Sequence, residues 1–380
     1  MSHKLLLIPG PSPVVPRILD ALARPTVSHV GADMAADVRL ALDNLKKIVF
    51  CASGEPFLIA GAGTLSMEVA LLNLVGRDER VLVLSQGYFG DRMGEICESF
   101  GLAFDILRSP WGEVVPADSL ARAIQAKPYG LVAVTHVDTS TGGCAPVRAY
   151  AEVLRDSGIL YVVDGVCATG GVEERMDDWG IDVVLTAAQK CFGAPPGLAV
   201  DVFSERAMAQ RRGLPSVPAY YADILRWLPI MKEPTKYFST PGVNEMRAFA
   251  EATKVMLEEG MESRFTRHAL YAEAVRAGLE ALGFSFFTRR DCWADTLSVV
   301  NYPEGVDDKA FRAAYFENGC VVAGGLGATA GKVFRMGHMG NLTADEILFA
   351  LEAMERALES VGGAAGRGAS VRAAERVLRP

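Results

Sequence analysis

The feature that most constrains the fold of this chain is a series of short apolar runs that alternate with helical patterns. The runs lack the polar alternation of half-exposed strands, which is typical of strands buried on both faces. Such strands, separated by helices, predict an α/β fold with a mostly parallel sheet covered by helices on both faces. The seven predicted strands are residues 57–60, 80–84, 103–107, 130–135, 159–163, 182–186 and 198–203. The predicted helices between them are residues 64–75, 90–100, 116–126 and 146–156.

The segments on either side of this pattern predict an arm and a second domain. Proline fixes φ and disfavours helix, so the proline-rich residues 1–20 predict an extended arm that ends in a short helix. Residues 204–242 hold five prolines and predict a long irregular connection. Two helical stretches and a mixed strand and helix pattern follow. We therefore predict an N-terminal arm (1–20), a large domain (21–259) and a small C-terminal α+β domain (260–380), whose Gly-, Ala- and Arg-rich end (361–380) is expected to be a flexible tail that can form a short terminal helix.

Composition excludes several classes of function. Of 380 residues, 50% are hydrophobic and 22% are charged, which is ordinary for a globular protein. The formal net charge of −8 disfavours nucleic acid as the main partner. The seven cysteines are odd in number, widely spaced and without a C-x-x-C pair, so neither a disulfide framework nor a metal site is expected. Without a signal-peptide pattern or an apolar run long enough to cross a membrane, the expected location is the cytoplasm.

Two residues of opposite charge follow neighbouring predicted strands. Asp164 closes the strand at 159–163, and Lys190 lies just past the strand at 182–186. The carboxyl ends of parallel strands meet at one edge of a sheet, where ligands bind. A lysine among small and apolar neighbours favours the neutral amine that forms an imine, and pyridoxal phosphate (PLP) also needs a carboxylate to keep its ring nitrogen protonated. Either residue alone is more simply a turn cap or a surface lysine, but the pair predicts a PLP site.

A glycine-rich turn follows the first predicted strand. Gly61 and Gly63 let the backbone approach a ligand closely, and Thr64 adds a hydroxyl donor where the predicted helix begins. Backbone N–H groups and the positive end of a helix predict a phosphate site here. The turn also begins a G-x-G-x-x-G pattern with Ser66 in the place of the third glycine, so the turn alone leaves a dinucleotide site open.

Three further side chains are candidates for the same site. Tyr88 follows the strand at 80–84 and could lie on a heteroaromatic ring, and Thr139 follows the strand at 130–135 and offers a hydroxyl. Arg335, on a short strand, suits a substrate carboxylate because its guanidinium binds such groups with two parallel hydrogen bonds. An ordinary core tyrosine, a hydroxyl-rich turn and a surface ion pair are the alternatives for each residue alone. We interpret His136 and His338 as structural.

These segments together resemble the class V, fold-type I PLP aminotransferases, specifically the alanine–glyoxylate and serine–pyruvate aminotransferase family. The likeness runs from Pro9 to about Ser360. The motifs that carry it are Ala60-Gly-Ala-Gly-Thr, Gly87-Tyr-Phe-Gly, Thr135-His-Val-Asp-Thr-Ser-Thr-Gly, Val163-Asp-Gly-Val-Cys-Ala, Gln189-Lys, Ala194-Pro-Pro-Gly and Gly324-Gly-Leu-Gly.

The resemblance implies a role for each matching position. Lys190 would be the catalytic lysine that holds PLP as a Schiff base, Asp164 the partner of the pyridine nitrogen, and Arg335 the residue that binds the substrate carboxylate. The other cofactor contacts would be Gln189, Tyr88, Thr139, Ala62, Gly63, Thr64, Tyr237 and Thr240. The last two would reach the phosphate from a partner subunit, which implies a homodimer with shared active sites.

The implied reaction is ping-pong transamination from a small amino acid, alanine or serine, to a small 2-oxo acid, glyoxylate or pyruvate. The pyridoxamine–pyruvate and ureidoglycine–glyoxylate types are close alternatives. A cysteine desulfurase-like lyase is disfavoured, because those enzymes resemble this chain but carry histidine where Gln189 and Tyr88 stand. A nicotinamide dehydrogenase is disfavoured by the missing third glycine and by the absence of an acidic residue after the strand at 80–84.

Overall fold

The computed structural model describes residues 4–363 and 366–379. In these residues the strands are β1 (Leu5–Leu6), β2 (Glu55–Ala60), β3 (Arg80–Ser85), β4 (Ala103–Arg108), β5 (Leu131–Thr135), β6 (Val137–Asp138), β7 (Gly143–Cys144), β8 (Leu160–Asp164), β9 (Val183–Ala187), β10 (Leu198–Phe203), β11 (Ser285–Phe286), β12 (Leu297–Asn301), β13 (Cys320–Val321), β14 (Ala323–Gly324) and β15 (Val333–Gly337). The α-helices are α1 (Pro16–Leu22), α2 (Ala32–Ile48), α3 (Gly63–Leu72), α4 (Tyr88–Ser99), α5 (Ala117–Ala126), α6 (Val147–Leu154), α7 (Met176–Trp179), α8 (Glu205–Gly213), α9 (Ile224–Lys232), α10 (Val243–Glu259), α11 (Met261–Glu280), α12 (Asp308–Glu317), α13 (Ala344–Ser360) and α14 (Ala369–Leu378).

The central sheet has seven strands in the order β2-β10-β9-β8-β5-β3-β4. All of its neighbours pair in parallel except β10, which is antiparallel to both β2 and β9. Parallel strands need a crossover of a dozen or more residues, and only residues 188–197 separate β9 from β10, so β10 must turn back. The predicted seven-stranded, mostly parallel α/β fold is confirmed, and each strand lies within two residues of its predicted bounds.

The described residues form two large hydrophobic cores and one small cluster. The larger core packs the helices against the central sheet and extends to Met261. The smaller core begins at Tyr271 and surrounds a four-stranded antiparallel sheet in the order β11-β12-β15-β14. Leu7 belongs to the smaller core, because β1 of the N-terminal arm pairs in parallel with β13. We propose a domain boundary near Gly260, with the arm packed on the smaller domain.

Helices α2, α7, α8 and α9 were not predicted. Helix α2 buries Met34, Val38, Leu42 and Leu45 at helical spacing, a pattern that the sequence carries. Helices α8 and α9 lie in the stretch that we expected to be irregular, and that expectation is wrong over their residues. Helix α9 includes Pro229, but the Asp223 carboxylate accepts a hydrogen bond from the Leu225 N–H and so caps its first turn.

The C-terminal stretch forms the short terminal helix that the sequence allowed, but this helix is packed rather than frayed. Residues 369–378 form α14, which buries Ser370 and Ala374 against the smaller domain. The carboxylate of Glu355, on α13, accepts hydrogen bonds from the N–H groups of Gly368 (2.7 Å) and Ser370 (2.8 Å). A buried acid on the preceding helix therefore anchors the start of α14. Residues 1–3 of the predicted arm and residues 364–365 and 380 of the predicted tail lie outside the described residues.

Candidate active site

A cavity of about 140 Å³ lies at the carboxyl edge of the central sheet. Seven residues that the sequence singled out line it, namely Lys190, Asp164, Gln189, Thr139, Ala62, Gly63 and Thr64. The other lining residues are Met67, Phe89, Arg92, Thr135, Val137, Val166 and Cys167. The loops after β2, β3, β5, β8 and β9 contribute these side chains, as expected where parallel strands end together.

Lys190 lies in the short connection from β9 to β10, and the N-terminal arm holds this turn. The Lys190 Nζ donates to the carbonyl of Pro9 at 2.5 Å. The Ser12 hydroxyl donates to the Lys190 carbonyl at 2.6 Å, and the Ser12 N–H donates to the Gln189 carbonyl at 3.0 Å. A Cβ at Gly10 would lie 2.6 Å from Nζ, so only glycine leaves room for the lysine there.

Asp164 is the last residue of β8 and is only 2% exposed. Its Oδ1 accepts from the Val166 N–H (3.0 Å) and its Oδ2 from the Thr135 hydroxyl (3.1 Å). Burial raises the pKa of Asp164 to about 7, and the two hydrogen bonds offset only part of that rise. No cationic side chain of the described residues forms an ion pair with this carboxylate, so a bound cation would be its natural partner.

Helix α3 presents its uncapped N-terminus to the cavity. Ala62, the N-cap residue, is extended and supplies no side-chain acceptor to the first turn. A Cβ at Gly63 would lie 3.0 Å from Val166 and 3.3 Å from Ala187, so glycine lets the helix end approach the sheet closely. The Arg92 guanidinium donates to the Thr64 hydroxyl at 3.5 Å. Free backbone donors, a helix dipole and a nearby cation together form an anion site.

Gln189 and Thr139 add polar groups to the walls of the cavity. The Gln189 Oε1 atom is buried and has no hydrogen-bond donor among the described residues. A buried acceptor without a donor is uncommon, and a ligand that donates a hydrogen bond would satisfy it. Thr139 is 3% exposed and lies in the turn between β6 and β7.

The structure does not bring Tyr88 to the cavity. Tyr88 is the first residue of α4, is 37% exposed, and has the Arg92 guanidinium 5.1 Å from its ring centroid. Phe89, the next residue, lines the cavity instead. Asp138 determines which of the two side chains faces the cavity. Its Oδ2 accepts from the N–H groups of Phe89 (2.9 Å) and Gly90 (3.2 Å) and so fixes where helix α4 begins. The prediction that Tyr88 faces the site is therefore corrected to Phe89.

Arg335 borders the cavity without lining it. Its Nε donates to the Gly324 carbonyl at 2.7 Å, and its Nη1 lies 3.4 Å from the carbonyl of Thr139, a lining residue. Burial lowers the pKa of Arg335, and among the described residues no carboxylate pairs with it. A partly buried guanidinium without an acid partner is a suitable site for a ligand carboxylate.

Tyr237 and Thr240 do not reach the cavity within one chain. Tyr237 is 64% exposed, and its ring centroid lies 5.3 Å from that of His29. Thr240 is exposed as well. Both residues belong to the connection between α9 and α10, on the surface of the subunit.

The sequence reasoning missed three residues of this region. Phe89 adjoins the residue that was chosen, and Arg92 lies one helical turn after it, so a helix from Tyr88 would have shown both on one face. Asp138 caps α4 from a hairpin 48 and 49 residues away in sequence. No local sequence pattern indicates a capping residue that is so distant in the sequence.

Comparison with known proteins decides the family. The family model for "Aminotransferase class-V" matches residues 18–334. The chain belongs to the class V aminotransferases. It is 33% identical to an alanine–glyoxylate aminotransferase of Saccharomyces cerevisiae over 89% of this chain and 92% of that protein. It is 32% identical to an L-aspartate–glyoxylate aminotransferase of Paracoccus denitrificans over 100% of this chain and 97% of that protein.

A solved structure gives the same result for the fold. The ureidoglycine–glyoxylate aminotransferase of Bacillus subtilis superimposes with a TM-score of 0.94 at 27% identity, covering 100% of this chain and 99% of that one. The expected fold-type I architecture and aminotransferase activity are confirmed. Class V aminotransferases depend on PLP, so PLP is the cofactor of this enzyme.

The cavity fits that cofactor on three observations. Asp164 is a buried carboxylate without a cation, as a protonated ring nitrogen requires. Gln189 offers an acceptor that nothing in the described residues satisfies. The N-terminus of α3, with Arg92 beside it, offers the donors and positive charge that a phosphate requires.

Proposed function

We propose that this enzyme moves an amino group from alanine or serine to glyoxylate or pyruvate, with Lys190 as the catalytic residue. One observation carries the proposal: Lys190 and Asp164 line the same small cavity, and Arg335 borders it without an acid partner. A lysine, an acid and an arginine around one ring-sized space suit amino-acid chemistry. Either charged residue in isolation would be an ordinary structural feature.

PLP, when bound, supplies an electron sink for the bond that breaks at the substrate α-carbon. Lys190 is the residue that would hold the cofactor's aldehyde carbon and, once freed by the donor amine, carry the α-proton. Such acid–base transfer contributes roughly 10²–10⁴-fold to a rate. The Pro9 carbonyl, 2.5 Å from Nζ, gives the released amine a hydrogen-bond acceptor.

The other residues bind and orient the cofactor. Asp164 would face the ring nitrogen, and Phe89 would pack on the ring in the role that the resemblance gave to Tyr88. Ala62, Gly63 and Thr64 would hold the phosphate through the first turn of α3, with Arg92 as its nearest cation. Gln189 and Thr139 would complete the polar contacts of the ring.

The charges around the cavity favour a small neutral donor. Arg335 would bind the α-carboxylate of the substrate. The remaining cations at the cavity are Lys190, which is needed for catalysis, and Arg92, which lies beside Thr64 at the phosphate end. A second carboxylate, as in aspartate, would therefore lack a dedicated partner in one subunit, whereas alanine and serine need none.

We also propose a homodimer with shared active sites. Tyr237 and Thr240 are exposed and do not line the cavity of their own chain, which suits residues that reach the phosphate of a partner. Mixing inactive Lys190→Ala subunits with inactive Tyr237→Ala/Thr240→Ala subunits should restore activity, because the hybrid has one intact site. Failure to restore any activity in a confirmed hybrid would contradict the shared site.

A cytoplasmic location is proposed on the state of the cysteines. All seven are free thiols, which suits a reducing compartment. Among the described residues, no helix has both the length and the apolar character that a membrane crossing requires.

The test of the proposed substrates is a panel of half-reactions. The PLP-loaded enzyme is mixed with one amino donor at a time, without acceptor, and the loss of its visible absorption band is followed. Alanine or serine should bleach the band at least tenfold faster than aspartate. Bleaching by aspartate alone, or by pyridoxamine alone, would overturn the donor assignment and favour a different aminotransferase type.

A further inference from the structure

Arg264, in the first turns of α11, is a fully buried cation whose guanidinium contacts three loops of the active site. Its exposure is 0%. Its Nε donates to the Gly170 carbonyl at 3.0 Å, and its Nη2 donates to the Cys191 carbonyl at 2.6 Å. The same Nη2 also lies 3.2 Å from the Gly340 carbonyl and 3.0 Å from Asn341 Oδ1.

Each of these loops carries one of the charged residues assigned above. Gly170 lies in the loop that begins after Asp164, at the end of β8. Cys191 is the residue directly after Lys190. Gly340 lies three residues past the end of β15, the strand that carries Arg335. One side chain from the smaller domain thus joins the three segments on which the reaction depends.

The chemistry of the guanidinium explains why an arginine suits this position. Its donors form a rigid planar fork, so carbonyl groups bound at Nε and Nη2 are held at a fixed separation. Burying such a charge is costly unless every donor is satisfied and an acid is near. Nη1 donates to Glu259 at 2.6 Å, and this acid is shared with Arg267.

We propose that Arg264 is a positioning residue, which sets the distance between the Lys190 amine and the Asp164 carboxylate by fixing the loops that follow them. The inference rests on the proposed roles of Lys190 and Asp164. Arg264 does not line the cavity, and it acts through the backbone at Cys191 and Gly170. Its loss would leave the charged groups present but misplaced.

The chain offers a matched control in Arg267, one turn along the same helix. Arg267 donates to Glu259 at 2.6 and 3.1 Å and to the Gly340 carbonyl at 3.0 Å, but not to Gly170 or Cys191. The variants are therefore Arg264→Lys, Arg264→Gln and Arg267→Gln. A lysine keeps the charge but concentrates its donors on one nitrogen, so it cannot hold both carbonyl groups at the spacing of the fork.

Two measurements separate positioning from general stability. The first is kcat and KM for the amino donor, together with the melting temperature. In Arg264→Lys, kcat should fall at least tenfold and in Arg264→Gln on the order of 10²-fold, with KM changed less than threefold. Arg267→Gln should keep kcat within about twofold of the wild type at a comparable loss of thermal stability.

The second measurement is hydrogen exchange on the cofactor-free protein. Both Arg264 variants should speed exchange in the loops 165–175 and 188–197, and Arg267→Gln should leave those loops unchanged. The inference is overturned if folded Arg264→Lys keeps kcat within twofold, if Arg267→Gln loses as much kcat, or if neither Arg264 variant folds. Failure of the wild-type half-reaction would instead contradict the proposed function. The hydrogen-exchange measurement does not depend on that reaction and would still test the positioning role of Arg264.

Discussion

Replacing Asp164 with asparagine should have opposite effects on the cofactor-free and the cofactor-bound enzyme. In the cofactor-free protein the carboxylate is buried without a cation, and its pKa rises from the ordinary value of 3.8 to about 7. A raised folded-state pKa means that the unfolded chain releases this proton first, so stability falls as pH rises from about 4 to about 7. This rise in pKa corresponds to about 4 kcal/mol of stability at high pH, which the neutral asparagine would not lose.

The assay is thermal unfolding of both proteins from pH 4 to pH 8, with and without PLP. At pH 8 the cofactor-free Asp164→Asn protein should melt about 5 °C above the wild type, since 4 kcal/mol is spread over the unfolding entropy of 380 residues. The difference in melting temperature between the two cofactor-free proteins should disappear near pH 4. With PLP bound the order should reverse, because only the wild type gains an ion pair with the ring nitrogen. A cofactor-free variant less stable than the wild type at pH 8 would refute the reasoning.

Four further substitutions test three separate parts of the account. Phe89→Ala should weaken PLP binding about tenfold, whereas Tyr88→Ala should change it less than twofold; equal losses in a fluorescence titration would contradict the corrected assignment. Arg335→Gln should raise the donor KM about 30-fold through loss of a charged hydrogen bond, and steady-state kinetics with an unchanged KM would remove its role. Glu355→Gln should cost about 1–2 kcal/mol of stability in urea unfolding by weakening the cap of α14, and no change would show that the helix holds without it.

The central sheet and the shared cavity of Asp164 and Lys190 were predictable because they rest on local patterns. Continuous apolar runs indicated the strands. The rule that ligands bind at the carboxyl ends of parallel strands then predicted that Asp164 and Lys190 lie close together. The glycine-rich turn before α3 was equally local. The residues that follow each strand therefore indicate the chemistry at this edge of the sheet.

Helix α2 was missed although its apolar spacing is local, but other errors arose where a residue from another element decides the local geometry. Phe89 rather than Tyr88 lines the cavity because Asp138, from another hairpin, fixes the start of α4. Helix α14 is ordered rather than frayed because Glu355, on α13, caps its start. Arg264 gave no signal at all, since its partners are backbone carbonyl groups of three separate loops. Long-range hydrogen bonds of this kind produce no periodic sequence pattern from which they could be predicted.

The most direct test of the account is to locate the cofactor on the chain. The PLP-loaded enzyme is reduced with borohydride, digested, and sequenced by mass spectrometry. The account predicts one pyridoxyl-phosphate mass, on Lys190, and none in Lys190→Ala. A label on any other lysine, or an unlabelled Lys190 in active enzyme, would contradict it.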